Sequence, residues 1–204
     1  MPALKSSFLC LLLILIPAIA LAGTHKHVKH KHWTNKYDRH FKKNAKHYFG
    51  PDVDWHWFKA QGIAESGLNP KAKSRVGAIG IMQIMPSTYQ EILKKQPNFG
   101  KIDQPRWNIA AAIYYNRQLY KRWKKKNVSV EERLNFTFAS YNAGFARVLK
   151  ARKKLRAINK SKKIEHSDAM NDWDKVSPFT PLETRFYIRR IDRLMKMSVV
   201  PKKS

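Results

Sequence analysis

The sequence predicts a mainly α-helical domain with a short irregular or hairpin segment after its first helix. From residue 50 onward, apolar residues recur at helical spacing and are bounded by helix start and stop signals. Residues 67–85 interrupt this pattern with glycines and show little helical periodicity. Hydrophobic residues make up 43% of the 204-residue chain, which is enough apolar material for one packed core.

The charge is the most unusual feature of the composition. The chain has 41 Lys and Arg against 14 Asp and Glu, a formal net charge of +27. Such a charge suggests an anionic partner such as nucleic acid. The single cysteine excludes a disulfide scaffold and a cysteine-rich zinc finger. The small number of carboxylates leaves few candidates for acid–base catalysis.

Residues 1–22 are typical of a signal peptide. Lys5 precedes an apolar run from Phe8 to Leu21, and Ala20-Leu21-Ala22 fits a cleavage site. A membrane anchor is the alternative, but the run is shorter than the roughly 20 residues that span a bilayer. We therefore predict an exported protein with no membrane span after cleavage, which disfavours a nucleic-acid partner.

Residues 23–49 are predicted to form a basic arm ahead of the domain. The arm is polar and rich in histidine: His25, His27, His30, His32, His40 and His47. Alternating histidines can bind metal weakly, but a solvated arm that gains charge below about pH 6.5 is the simpler interpretation. We place the domain at residues 50–197 and a basic tail at 198–204.

The first helices of the domain are predicted from their end signals. A helix spans about residues 53–66, because Gly50-Pro51-Asp52 precedes it and Gly67 ends it. Pro86 begins a second helix that reaches about residue 95. A loop follows from Pro97 to Pro105, and the longest amphipathic stretch covers 106–126.

Three more helices complete the predicted domain. Ser129 and Glu132 form a capping-box pattern for a helix over about 130–141, and another helix covers about 144–157. Residues 158–179 are less regular. Thr180-Pro181-Leu182-Glu183 predicts the start of the last helix, with Thr180 as N-cap and Glu183 as its capping-box partner.

Glu65 is the strongest candidate for a catalytic residue. It lies at the C-terminal end of the first predicted helix, where the helix dipole is negative, and Phe58, Gln61 and Gly62 share its face. Both the largely apolar setting and the dipole disfavour the carboxylate and raise its pKa. A carboxyl group that is protonated near neutral pH suits general acid catalysis. An ordinary exposed glutamate is the alternative.

Four sequence motifs occur in order along the domain. They are E-S-G-L-N-P at 65–70 continuing to G-A-I-G-I-M-Q-I-M-P at 77–86, P-x-W-N-I-A-A-A-x-x-Y at 105–115, S-Y-N-A-G at 140–144, and E-T-x-x-Y at 183–187. In these motifs the chain resembles the soluble lytic transglycosylases, bacterial enzymes that cleave peptidoglycan. Ile81 stands where that family usually has Leu, and Ser140 where it usually has Ala.

The resemblance implies a lysozyme-like, goose-type-like helical domain and a role for each motif residue. Glu65 would be the catalytic acid and base. Ser74 would polarise the acetamido group of the sugar or orient the attacking hydroxyl. The other residues would contact the saccharide: Gln83, Met85, Tyr141, Asn142, Tyr187 and Glu183. A structural role is the alternative for several of them, such as helix capping for Glu183.

The reaction that the resemblance implies is non-hydrolytic cleavage of the MurNAc–GlcNAc β-1,4 bond, which leaves 1,6-anhydro-MurNAc ends. Glu65 would protonate the glycosidic oxygen and then accept the proton of the MurNAc 6-hydroxyl. No second acid lies between Glu65 and Glu91, which agrees with a single-acid mechanism. The resemblance implies no metal and no organic cofactor.

Two other functions remain open at this point. A goose-type-like muramidase would hydrolyse the same bond with a positioned water, and often with a second carboxylate such as Asp103 or Glu91. A non-catalytic cationic protein would bind nucleic acid or an envelope polyanion through basic runs such as 121–126 and 150–163.

We favour a monomeric enzyme that acts on peptidoglycan glycan strands. The family favours the periplasm as its location, with secretion or attachment to the cell wall as the alternative. The positive charge would then serve adhesion to the anionic wall surface rather than binding of nucleic acid.

Overall fold

A computed structural model describes residues 33–124, 128–162, 169 and 171–198 of the chain. Within these residues the structure is helical and has no β-strand; isolated antiparallel bridges join Lys73 to Ile79 and Ile79 to Ile84. The prediction of a mainly α-helical fold with a short irregular segment is therefore confirmed. The predicted signal peptide, the first part of the basic arm and the tail beyond residue 198 lie outside the described residues.

The described part of the chain consists of α-helices joined by loops and short 3-10 turns. In chain order they are a 3-10 turn at Asn35–Tyr37, α1 at Asp38–Phe49, α2 at His56–Ser66, α3 at Pro86–Leu93, α4 at Pro105–Arg122, α5 at Val130–Ala143, α6 at Phe145–Ser161, α7 at Trp173–Val176, a 3-10 turn at Ser177–Phe179 and α8 at Leu182–Ser198. None of the helices in the described part of the chain is long and apolar enough to cross a membrane.

Helix α1 shows that the prediction of a basic arm up to residue 49 is wrong for its second half. Phe41 is fully buried and Ala45 is 1% exposed, because α1 packs against α2 and α4. The apolar positions Phe41, Ala45 and Tyr48 are spaced by one helical turn. The dense Lys and His residues between them concealed this stripe in the sequence.

A buried ion pair joins α1 to α2. The side chain of Lys59 is 1% exposed, and its ammonium donates to Asp38 Oδ1 at 2.5 Å. The same ammonium lies 5.0 Å from the ring centroid of Trp33 and 5.5 Å from that of Trp55. The folded domain therefore includes the chain from Trp33 onward.

Most helix ends lie close to their predicted positions, and local hydrogen bonds account for them. Helix α2 begins at His56, whose N–H donates to Asp54 Oδ1 at 2.9 Å, and it ends at Gly67 with φ 64°. Ser129 Oγ accepts from the N–H of Glu132 at 3.1 Å, as the capping-box pattern predicts.

The start of α8 differs from the prediction. The N–H and the hydroxyl of Thr180 both donate to the Ser177 carbonyl, at 2.9 and 2.7 Å. Pro181 O instead accepts the first helical hydrogen bond, from the N–H of Arg185 at 3.2 Å. The 3-10 turn just before Thr180 brings the Ser177 carbonyl within its reach. The predicted capping box of Thr180 and Glu183 therefore does not form, and Glu183 remains exposed.

Helix α5 is the centre of the domain. Every residue from 134 to 140 is buried, and α5 packs against α4, α6, α7 and α8. Helix α2 lies between α1 and α8. The C-terminal end of α2, which carries Glu65, leads directly into the irregular segment 67–85.

Candidate functional site

Glu65 and Tyr187 form the centre of the candidate site. Glu65 is half-buried in the last turn of α2, and the Tyr187 hydroxyl of α8 donates to Glu65 Oε1 at 2.6 Å. Tyr187 itself is only 9% exposed. The packing of α8 against α2 thus gives the carboxyl group one fixed hydrogen-bond donor.

Burial raises the pKa of Glu65 to about 7. The Tyr187 hydrogen bond and the positive charge of Arg190 act in the opposite direction, while the carboxylate of Glu183 adds to the rise. The direction agrees with the sequence prediction, and desolvation is the main cause. Near neutral pH this carboxyl group can therefore act both as a proton donor and as a proton acceptor.

The loop of residues 77–84 lies beside this pair and is fixed by side chains from other elements. Ser66, which follows Glu65 in α2, donates its hydroxyl to Ile81 O at 2.8 Å. The Tyr141 hydroxyl of α5 donates to Met82 O at 2.8 Å. Because each of these hydroxyls binds a backbone carbonyl, the loop has a defined position relative to Glu65.

Asn108 of α4 fixes the same loop from inside the core. It is fully buried; its Oδ1 accepts from the Met82 N–H at 2.8 Å, and its Nδ2 donates to Ile79 O at 3.0 Å and Ile102 O at 2.9 Å. Gly80 has φ +78°, and a Cβ there would lie 2.7 Å from Asn108 Nδ2. A glycine is therefore required at this position for both its backbone conformation and its space.

The structure places Ser74, Gln83 and Met85 along the same irregular segment. Ser74 Oγ accepts from the Ala78 N–H at 2.9 Å. Gln83 has φ 46°, a left-handed conformation unusual for a side-chain-bearing residue, and its Nε2 donates to Gly80 O at 2.8 Å. Met85 is 37% exposed at the start of α3. Ser74 and Gln83 thus take part in loop structure, whatever else they contact.

Asn142 and Thr184 meet at the junction of α5 and α8. The hydroxyl of Thr184, which is 1% exposed, donates to Asn142 Oδ1 at 2.8 Å. This bond fixes the Asn142 amide so that its Nδ2 group, which has no hydrogen-bond partner in the described part of the chain, is left as a donor. Glu183 is exposed but close enough to Glu65 to act on its charge.

Sequence reasoning missed three residues of this arrangement and considered two acids that lie elsewhere. Asn108 and Thr184 lie inside the quoted motifs. The signal that could have identified them is a polar residue within an otherwise apolar helix face. Arg190 lies outside the motifs. Glu91 pairs with Lys94 on α3 at 2.6 Å, and neither Glu91 nor Asp103 contributes to the Glu65 pKa. The second carboxylate near Glu65 is Glu183.

Metal-binding groups do not form a cluster in the described part of the chain. No three His, Cys, Asp or Glu side chains there are arranged to hold a metal ion. The chemistry that this arrangement supports is proton transfer by Glu65, with hydroxyl and amide groups around it.

Comparison with known proteins decides the family. Residues 41–164 match the sequence profile described as the transglycosylase SLT domain. The chain belongs to the transglycosylase SLT domain family. The SLT match begins inside α1, which agrees with the inclusion of that helix in the folded domain.

Curated relatives of this SLT domain are considerably longer proteins. A soluble lytic murein transglycosylase of Salmonella typhimurium is 35% identical over 104 residues, which are 48% of this chain and 15% of the relative. A membrane-bound lytic murein transglycosylase F of Aliivibrio fischeri is 33% identical over 119 residues, which are 58% of this chain and 22% of the relative. The chain thus spans less than a quarter of either protein.

Solved structures agree with the SLT fold. The 70-kDa soluble lytic transglycosylase of Escherichia coli matches 81% of this chain and 24% of its own with a TM-score of 0.58 and 27% identity. An inactive Glu-to-Gln mutant of the lytic transglycosylase Slt from Pseudomonas aeruginosa matches 81% of this chain and 24% of its own, with a TM-score of 0.60 and 23% identity. The predicted transglycosylase fold is therefore confirmed.

Proposed function

We propose that this protein is a peptidoglycan lytic transglycosylase that cleaves the MurNAc–GlcNAc β-1,4 bond without water and leaves 1,6-anhydro-MurNAc ends. The observation that carries this proposal is the 2.6 Å hydrogen bond between Tyr187 and a Glu65 carboxyl whose pKa is about 7, inside an SLT domain. One such carboxyl group can serve as the acid and then as the base.

In the first step, protonated Glu65 donates its proton to the glycosidic oxygen as the bond from that oxygen to C1 of MurNAc breaks. The GlcNAc side leaves as an alcohol, and positive charge develops at C1. The acetamido group of the substrate stabilises that charge. The Ser74 hydroxyl polarises this acetamido group or orients the attacking hydroxyl. The Ser74 oxygen accepts from the Ala78 N–H, so its own proton is the part that remains to be donated.

In the second step, the Glu65 carboxylate accepts the proton of the MurNAc 6-hydroxyl while O6 forms a bond to C1. This closes the 1,6-anhydro ring and returns Glu65 to its protonated form, so protons balance over the cycle. The Tyr187 hydroxyl stabilises the carboxylate between the two steps. Because the attack is intramolecular, the hydroxyl requires positioning more than activation.

The saccharide would contact the groups that the internal hydrogen bonds leave available. These are the Asn142 amide nitrogen, the exposed thioether of Met85 and the side-chain oxygen of Gln83. Tyr141 would contribute its ring and a lone pair, since its hydroxyl proton already goes to Met82 O. Glu183 would lie at the exposed edge of the same site.

Hydrolysis is the second candidate, and Glu183 is the observation that favours it. Two-carboxylate glycosidases use the second group to activate water. The carboxylate of Glu183 acts on Glu65, so it is a possible base for a water molecule. The nature of the products separates the two reactions, because hydrolysis leaves reducing ends and transglycosylation does not.

The deciding experiment is digestion of purified peptidoglycan with the full chain, followed by mass spectrometry before and after borohydride reduction. Anhydro ends resist reduction, so we expect products that do not change. Glu65→Gln should abolish release while keeping the fold, and Glu91→Gln, an exposed glutamate on α3, is the matched control. Reducing ends that disappear in Glu183→Gln would establish the hydrolase instead. Full activity of Glu65→Gln would refute both reactions.

We further propose that helix α6 holds the enzyme on the anionic wall. Seven of its seventeen residues are basic and none is acidic, and the ion pairs of the described residues involve none of them. Like charges one turn apart destabilise a helix by a few tenths of a kcal/mol per pair, so the repulsion between these basic side chains destabilises α6 when nothing is bound to it. Carboxylates on the peptide stems would neutralise it.

Retention on purified wall sacculi tests this surface. Changing the exposed cations Lys150, Lys153 and Arg156 to Gln should lower the salt concentration needed for elution. The control removes the same charge elsewhere, at the exposed residues Lys43, Lys46 and Lys71. Equal elution of the two triple variants would mean that net charge alone governs retention. Monomeric state, export to the periplasm and independence from nucleic acid stay predictions alongside this proposal.

A further inference from the structure

Arg190 of α8 binds the end of the helix that carries Glu65. Its Nη1 donates to Ala64 O at 3.1 Å and its Nη2 to Ile63 O at 3.4 Å. The last carbonyls of a helix have no partner within it. In a continued helix the N–H of Leu68 would donate to Ala64 O, but here it donates to Gly62 O at 3.4 Å. Ala64 O is therefore free to accept from the Arg190 guanidinium.

The same guanidinium lies at the end of α2 next to Glu65 in the chain, and its positive charge acts on the Glu65 carboxyl. The groups that act on this carboxyl all belong to α8: Tyr187, Arg190 and Glu183. From α5, Tyr141 also faces it, because the Glu65 charge contributes to the raised pKa of Tyr141. Arg190 is three residues after Tyr187, so both side chains leave one face of α8 toward the end of α2. Burial and Glu183 disfavour the carboxylate form, whereas Arg190 and Tyr187 favour it.

We propose that Arg190 is a positioning residue for Glu65, which fixes the last turn of α2 through the carbonyls of Ala64 and Ile63 and brings a positive charge to the end of the helix that carries the carboxyl group. The inference rests on the proposed function only in its consequence for turnover. The second step needs Glu65 as a carboxylate, and Arg190 supports that form without touching the substrate. Loss of the Arg190 charge should therefore change the Glu65 pKa, whereas loss of its bonds to the Ala64 and Ile63 carbonyls should change the position of the last turn of α2.

Arg189 provides a matched control on the same helix. It is exposed like Arg190 and carries the same charge, but it makes no hydrogen bond, ion pair or ring contact within the described residues. Arg190→Gln and Arg189→Gln therefore change the net charge equally. Any difference between them reports the location of the guanidinium and not the total charge.

The first measurement is a carboxyl ¹³C NMR titration of the full chain labelled at glutamate Cδ. The chain contains six glutamates, and Glu65→Gln assigns the resonance of interest. Arg190→Gln should raise the Glu65 midpoint by about one pH unit, Arg190→Lys by less than half of that, and Arg189→Gln by almost nothing. Arg190→Met replaces the Gln variant if that variant does not fold. Equal midpoints for the Arg189 and Arg190 variants would overturn the proposal.

The second measurement is the pH profile of kcat/KM on purified peptidoglycan. A raised midpoint should move the alkaline limb of Arg190→Gln to higher pH by the same amount, and Arg190→Lys should restore it. A purely structural role would lower activity at every pH without moving the limb. The titration does not depend on enzyme activity. If the wild-type chain did not digest peptidoglycan but Arg190→Gln still raised the Glu65 midpoint, the proposed function would be refuted and the positioning role would stand.

Discussion

The Tyr187 hydroxyl lies 2.6 Å from Glu65 Oε1 and joins residues that are 122 positions apart in the chain. The bond connects the first element of the site to the last helix of the domain. It opposes the effect of burial on the Glu65 pKa, which without it would rise further above about 7. The balance between burial and this donor is the basis of the first two predictions.

Tyr187→Phe removes the hydroxyl but keeps the ring. We expect the Glu65 pKa to rise, because the carboxylate loses its donor, and the turnover number to fall about 10- to 100-fold, since a hydrogen bond to a charged group contributes about 1.5–3 kcal/mol. Release of anhydro-muropeptides measures the loss. Tyr114→Phe, a half-buried tyrosine whose hydroxyl makes no hydrogen bond in the described residues, is the control. Unchanged turnover in Tyr187→Phe would contradict the mechanism.

Glu65→Gln should stabilise the folded protein increasingly as the pH rises. Below the ordinary pKa of 4.5, Glu65 is protonated in the folded and the unfolded chain, so the substitution has little effect. Between 4.5 and about 7 the unfolded chain ionises first, which destabilises the wild-type fold, and above about 7 the full effect is present. At ~1.36 kcal/mol per unit of pKa the difference reaches on the order of 3 kcal/mol.

Urea unfolding of wild type and Glu65→Gln at about pH 4 and about pH 8 measures this difference. Glu91→Gln serves as the reference. Because Glu91 is exposed, this substitution should change the free energy of unfolding little at either pH. A stability difference between wild type and Glu65→Gln that is the same at both pH values would show that the Glu65 pKa is not raised.

Asp38→Ala should destabilise the domain by about 3–5 kcal/mol, because the buried Lys59 ammonium loses its partner. Lys59→Met in the same chain should recover most of the loss, since it removes the unpaired charge and keeps an apolar side chain. Asp52→Ala, at an exposed acid just after α1, is the control. If Asp38→Ala were as stable as this control, α1 would not be part of the cooperative fold.

Gly80→Ala and Gly77→Ala separate backbone strain from steric clash. Both glycines have positive φ, +78° and +89°, but only at Gly80 would a Cβ meet Asn108, at 2.7 Å. We expect Gly77→Ala to cost about 1 kcal/mol of unfolding free energy and Gly80→Ala about 3 kcal/mol, with a larger loss of activity. Thermal unfolding and peptidoglycan digestion check the two effects. Equal losses would mean that Asn108 can move away freely.

The sequence predicts those features that depend on neighbouring residues. The end signals of α2, α3 and α5 are local, and so is the apolar face that surrounds Glu65 on its own helix. The sequence pattern does not reveal helix α1, because its Lys, Arg and His residues together outnumber its apolar residues, although the latter keep helical spacing. The predicted cap at Thr180 does not form, because the Thr180 hydroxyl is oriented back toward the preceding 3-10 turn, where it donates to Ser177 O.

The finer geometry of the site depends on distant contacts, which the sequence pattern does not contain. The hydrogen-bond partners of the motif residues Tyr141 and Asn142, which are Met82 O and Thr184, come from other elements. Arg190 could not be distinguished from the neighbouring arginines of α8 by sequence alone. Only the packing of α8 against α2 shows which of them reaches the end of α2.

The contribution of α8 also determines when the site exists. Tyr187, Thr184 and Arg190 all belong to the last helix of the described chain. During synthesis, or in a chain that is still unfolded, Glu65 has none of these partners and is an ordinary solvated glutamate that ionises at acidic pH. Under the proposed function, catalytic competence therefore appears only after α8 has docked against α2. Proteolytic loss of this one helix would, under the same proposal, abolish activity even if the rest of the domain stayed folded.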